Sequence, residues 1–101
     1  MDKYRVAISG EARRMLTEQV YFLARVNAEA AERLRDRLME AIRSLEVMPR
    51  RYPYLDPEDR RSPYRKMFVP EQYLVIYTVE GDTVFVEYVI DGRQDYGWLL
   101  K

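Results

Sequence analysis

Residues 64–96 run Tyr64-Arg65-Lys66-Met67-Phe68-Val69, then Pro70 and two polar residues, then Tyr73-Leu74-Val75-Ile76-Tyr77-Thr78-Val79. A Glu80-Gly81-Asp82 turn follows, then Thr83 to Ile90, and the stretch closes on Asp91-Gly92-Arg93-Gln94-Asp95-Tyr96. The three apolar runs are rich in β-branched and aromatic residues. Pro70 and Gly81 punctuate them, so they read as three strands joined by short turns. Strands joined that way pair antiparallel. In the last run Val84, Val86, Tyr88 and Ile90 alternate with Thr83, Phe85, Glu87 and Val89. Both faces of this run are largely apolar, which places it in the interior of the sheet.

Upstream, Tyr4, Val6 and Ile8 alternate with Arg5 and Ala7 and predict a first strand. Residues 9–48 then carry helical periodicity. Ser9 is the expected cap of a first helix, with Glu11 favouring its N-terminal dipole. Ala12, Leu16, Val20 and Leu23 fall on one face of it. Asn27 is the expected cap of a second helix, with Ala31, Leu34, Leu38, Ala41, Ile42 and Leu45 as its buried stripe. Pairs such as Glu29–Arg33 and Glu40–Arg43 would lace its solvated face. Pro49 is expected to stop this helix. Residues 49–63 then form a long loop stiffened by Pro49, Pro53, Pro57 and Pro63. Its Tyr52, Tyr54 and Leu55 either cover a sheet edge or contribute to a site. The order is β-α-α-β-β-β. It predicts one α+β domain over residues 1–101, a small antiparallel sheet with a two-helix hairpin on one face. The opposite face is left partly open, and a site is expected there.

The chain has 101 residues, enough for a single core. No apolar run approaches the ~20 residues of a membrane span, and Met1-Asp2-Lys3-Tyr4 gives no sign of a secretory h-region. Cysteine is absent, which excludes thiolate chemistry and fits the cytoplasm. Histidine is absent too, removing the commonest base at neutral pH and the commonest metal ligand. No cofactor or metal is expected. The net charge is zero, yet residues 50–66 carry six bases against three acids, and residues 80–101 carry five acids against two bases. Fourteen of the seventeen basic residues are arginine, whose planar fork suits phosphate or carboxylate. The zero net charge argues against strong non-specific binding to nucleic acid.

Taken together, Leu45-Glu46-Val47-Met48-Pro49, Tyr64-Arg65-Lys66-Met67, Tyr73-Leu74-Val75-Ile76-Tyr77 and Gly92-Arg93-Gln94-Asp95-Tyr96 resemble the RelE/ParE superfamily of bacterial toxins. The match spans nearly the whole chain, and the tail looks more like the ParE-type, plasmid-stabilisation branch. The resemblance implies a toxin held inactive by a cognate antitoxin. It leaves the target open. ParE-like members bind DNA gyrase. RelE-like members cut messenger RNA on the ribosome. A third reading is a non-toxic binding module of the same fold.

RNA cleavage through the 2′-hydroxyl needs a base, an acid and cations for the phosphate. By the resemblance, Arg65, Arg93 and Tyr96 would be the catalytic set. Arg60, Arg61 and Lys66 would bind the target or its phosphate. Glu87, Tyr88 and Lys66 are further candidates for proton transfer. The paired lysines of the RelE branch are not recognisable here, and arginine is a poor base. Gyrase binding is therefore preferred to cleavage. Each residue also has a structural reading. Arg65 would pair with Glu87 or Asp95 and pin the tail, and Tyr96 and Trp98 would clamp the sheet with their rings. If Arg65 instead acts on phosphate, Arg65→Ala should abolish toxicity and leave stability within about 1 kcal/mol.

Overall fold

The computed structural model describes residues 3–94 and 96–100. Strand β1 (Arg5–Ile8) leads into helices α1 (Gly10–Ala24) and α2 (Ala28–Arg43). Short 3-10 turns follow at Ser44–Glu46 and Pro49–Arg51. Strands β2 (Arg65–Val69), β3 (Tyr73–Glu80) and β4 (Thr83–Asp91) come next, then a 3-10 turn over Gly97–Leu100.

Both helix caps are as the sequence predicts. The Ser9 hydroxyl accepts the Ala12 N–H, and the Asn27 side chain accepts that of Ala30. The second helix ends earlier than Pro49 implies. It closes at Arg43 and tightens into the Ser44–Glu46 turn, which keeps Leu45 fully buried. The ion pairs expected along α2 do not form among the described residues. Arg14 instead bridges Glu11 at 2.7 Å and Glu18 at 2.7 Å on α1.

The strand order is β1-β4-β3-β2. The meander β2-β3-β4 is antiparallel as expected, and β4 is interior. The sheet is nevertheless mixed, because β1 joins β4 in parallel. The helical excursion after β1 returns the chain to the same end to begin β2, so β1, β2 and β4 all run in one direction. Gly81 takes φ +58° at the first of two loop positions between β3 and β4, where a side chain would be strained.

The strict alternation read for β4 fails at one place. Ile76 pairs with Tyr88, but Tyr77 pairs with Val86, leaving Glu87 as an extra residue. This bulge shifts the facing by one. Val84, Val86 and Val89 therefore face the helices, together with Val75, Tyr77, Leu34, Leu38 and Ile42. Tyr88 and Ile90 turn to the other side and join Leu74, Ile76 and Leu55 in a second, smaller cluster. The freed Glu87 carbonyl accepts the Ser9 hydroxyl at 3.0 Å. One serine thus caps α1 and binds the bulge.

The face opposite the helices is covered more fully than expected. Leu55 and Tyr64 from the crossover, with Tyr96 and Leu99 from the tail, pack on it. The indole of Trp98 stands edge-on to Tyr88, 5.2 Å between ring centres. The crossover covers a sheet edge, one of its two expected roles. Leu55 N–H donates to the Tyr64 carbonyl, and Lys66 N–H donates to that of Pro53.

Candidate functional site

Arg65 opens β2 at the edge of the sheet. It pairs in register with Tyr77, so its side chain leaves the sheet on the helix side. Its guanidinium donates to the carbonyls of Tyr52 at 2.7 Å and Arg50 at 3.2 Å. The charged carbon lies 4.1 Å from the centre of the Tyr54 ring, within cation–π range. Arg65 thus pins the crossover to the sheet, rather than Glu87 or the tail. Asp95, the other partner considered for it, lies outside the described residues.

The neighbouring arginines do related work. Arg50 lies over Tyr4, 5.7 Å from the ring centre, and donates to its hydroxyl. Arg51 lies over Tyr52 and donates to the carbonyls of Val47 and Met48. Beneath them the fully buried Tyr77 donates its hydroxyl to the Pro49 carbonyl at 2.5 Å. Burial pushes this phenol up to about 12, with the nearby Arg65 and Arg51 pulling the other way.

Arg93 sits at the opposite end of the sheet. Two of its side-chain nitrogens and its backbone N–H bond the Asp91 carboxylate, which also accepts from Gln72. The Arg93 hydrogen bonds hold the Asp91 carboxyl below its ordinary value, against the effect of burial. Gly92 has no room for a side chain, since a Cβ would lie 2.8 Å from the Gln72 carbonyl oxygen. Asp91, Gly92, Arg93 and Gln72 therefore form a clasp tying the tail to the start of β3. Tyr96 packs in the second cluster, on the face away from Arg65.

Arg65, Arg93 and Tyr96 are thus not gathered at one point. Asp91 pairs with Tyr73 and Arg65 with Tyr77, four residues and about 13 Å apart along β3. Arg60 and Arg61 lie exposed in the crossover. Asp56 and Asp59 fold the chain there into tight turns by accepting the N–H groups of Glu58 and Arg61. Lys66 shares the second face with Ile76, its partner in register. Among the described residues, none of these three cations has a side-chain ion pair. No group of three or more carboxylates capable of holding a metal gathers among them either.

Two concavities were not foreseen. A groove of about 400 Å³ runs between α2 and the β2 edge, lined by Arg37, Glu40, Ala41, Tyr52, Met67 and Phe68 among others. Phe68 is 58% exposed on that edge. A second, of about 350 Å³, lies between the end of α1 and the clasp, lined by Gln19, Phe22, Val26, Tyr73 and Arg93 among others. There the Gln19 amide donates to the Val89 carbonyl, while its own oxygen is buried without a partner among the described residues. Sequence periodicity flagged neither: Phe68 reads as an ordinary strand residue and Phe22 as a helical one.

No helix among the described residues is long and apolar enough to cross a membrane. No curated protein matches the sequence significantly. Ten chains of solved structures match the fold. One, from the chromosomal ParDE toxin–antitoxin system of P. aeruginosa, superposes with a TM-score of 0.74 at 11% identity, covering 88% of this chain and 96% of that one. At such low identity the likeness speaks for the fold, the α+β sheet under a helical hairpin. The family model for the ParE toxin of the type II toxin–antitoxin system parDE matches residues 6–96. This chain, with its pinned crossover and clasped Gly92-Arg93 tail, belongs to the ParE toxin family, and it is the toxin component of such a pair with a cognate antitoxin as its partner.

Proposed function

We propose that this toxin acts in the cytoplasm by binding a protein target, DNA gyrase, rather than by cutting RNA. The observation that supports the reading is the dispersal of the residues a nuclease would need. Arg65 is spent on crossover carbonyls, Arg93 on Asp91, and Tyr96 on the far face of the sheet. A cleavage site must hold base, acid and cation within hydrogen-bond reach of one phosphodiester. Protein binding needs only a surface. Here the exposed Arg60 and Arg61, with the neighbouring Tyr54, present residue types enriched at interface hot spots. We assign the antitoxin to the groove between α2 and the β2 edge, beside which Phe68 stands exposed on the rim.

The test is to induce the protein in a bacterium and map RNA 5′ ends within minutes, while assaying the purified toxin against gyrase supercoiling. Growth arrest without new ends, together with loss of supercoiling, is the expected result. New ends inside translated codons would overturn it and return Arg65, Arg93 and Tyr96 to a catalytic role. Absence of arrest would favour a non-toxic binding module.

A further inference from the structure

The sheet has two edges, and the chain treats them differently. On β2 the outward-facing backbone groups belong to residues 64, 66 and 68. Tyr64 and Lys66 are taken by Leu55 and Pro53 of the crossover, and Pro70 beyond them has no N–H to offer. That edge is closed where the crossover meets it, leaving the Lys66 carbonyl and the backbone groups of Phe68 facing outward. On β1 the N–H groups of Arg5 and Ser9 donate to Asp82 and Val86, so the odd-numbered residues face β4. The even-numbered ones face outward. The Tyr4 N–H is taken by the Glu46 carbonyl. Among the described residues, Val6 and Ile8 remain unpaired, with two N–H and two C=O groups directed off the edge. Beside them lies a groove of about 160 Å³ lined by Val6, Ile8, Met39, Ile42, Arg43 and Glu46.

From this arrangement we propose that the β1 edge binds a second copy of the chain by antiparallel β1–β1 pairing about Ala7. The pairing sets Val6 opposite the partner's Ile8, and Ile8 opposite its Val6. Each of these pairs exchanges both backbone hydrogen bonds, as residues facing across an antiparallel ladder do at alternate positions. All four free groups on each copy are then satisfied. Ala7 falls on the two-fold axis, where two side chains come closest and a small one fits. A two-fold interface must be self-complementary. The groove meets that condition in charge, since it carries one arginine and one glutamate and its rotated copy presents the same two in reverse order. The β2 edge is the less available of the two, because the crossover already pairs with it at Tyr64 and Lys66. The proposal is independent of the toxin's target.

The test uses the purified full chain in sedimentation equilibrium over a range of concentrations, with amide exchange followed by NMR. A monomer–dimer equilibrium is expected, with the Val6 and Ile8 amides gaining protection as concentration rises. Arg43→Glu places four acids across the interface and should weaken the dimer by ten-fold or more. Adding Glu46→Arg restores alternating charge and should recover the dimer. Circular dichroism of each variant separates this from misfolding. A monomer at every concentration would overturn the proposal. So would a dimer indifferent to the charge swap, or one that leaves the Val6 and Ile8 amides exchanging freely.

Discussion

Three residues bind parts of this fold that no periodicity connects. Tyr77 is the most deeply placed. Its hydroxyl is the hydrogen-bond donor to the Pro49 carbonyl, in a position sealed from water. Tyr77→Phe strands that carbonyl and should cost about 1–3 kcal/mol in chemical denaturation. The phenol is raised from 10.0 to about 12. A raised acid keeps its proton in the folded state after the unfolded chain has lost it, so its contribution is full below pH 10. Stability should then fall as pH climbs from about 10 to about 12, and the variant should lose that slope. Gly92 acts by what it lacks: Gly92→Ala drives a methyl into the Gln72 carbonyl and should cost about 1–3 kcal/mol. Asp91 works in the opposite pH direction from Tyr77. Its lowered value means that the clasp holds above the usual carboxylate range and loosens as acid protonates it.

Among the elements, the crossover between α2 and β2 departs most from what residue spacing predicts. Its prolines and tyrosines announce a long loop, and its edge-covering role follows from Leu55. The arginine–tyrosine stacks that hold it down were not legible, because Arg65, Arg51 and Arg50 find partners 11 residues back, next door and 46 residues back in sequence respectively. Neither helical nor strand periodicity encodes such pairings. The helices were legible because caps and apolar stripes are local signals. Their ion pairs were not, because long exposed side chains choose among several neighbours of similar energy. The pinning changes what Arg65→Ala should do. Losing two carbonyl contacts and a ring stack should lower stability by about 1–2 kcal/mol, more than an exposed phosphate ligand would. Thermal unfolding of Arg65→Ala beside Arg65→Lys measures this, and a loss below about 0.5 kcal/mol would return the residue to a purely functional role.

For the molecule as a whole, the layering leaves partner surfaces at the rims rather than on either face. Helices cover one face, and the crossover with the tail covers most of the other. Phe68 stands at the rim, next to the groove assigned to the antitoxin. Phe68→Asp should weaken antitoxin binding ten-fold or more in titration calorimetry, in the range of a hot-spot residue. Its exposure should keep the change in stability within about 0.5 kcal/mol. Unchanged affinity would move the antitoxin elsewhere, the concavity beside Phe22 and Arg93 being the next surface to test.

The extra residue at Glu87 carries a lesson for comparing this chain with its relatives. Anyone threading β4 by simple alternation places every position after Glu87 on the wrong side of the sheet. The closing Gly92-Arg93 motif is then set against the wrong neighbours. A gap of one residue at Glu87 is needed before positions in the tail are equated with those of another toxin that lacks the bulge. By the same logic, deleting the half-buried Glu87 should straighten the strand yet leave Tyr88, Val89 and Ile90 on their present faces, the loss being the carbonyl that accepts the Ser9 hydroxyl.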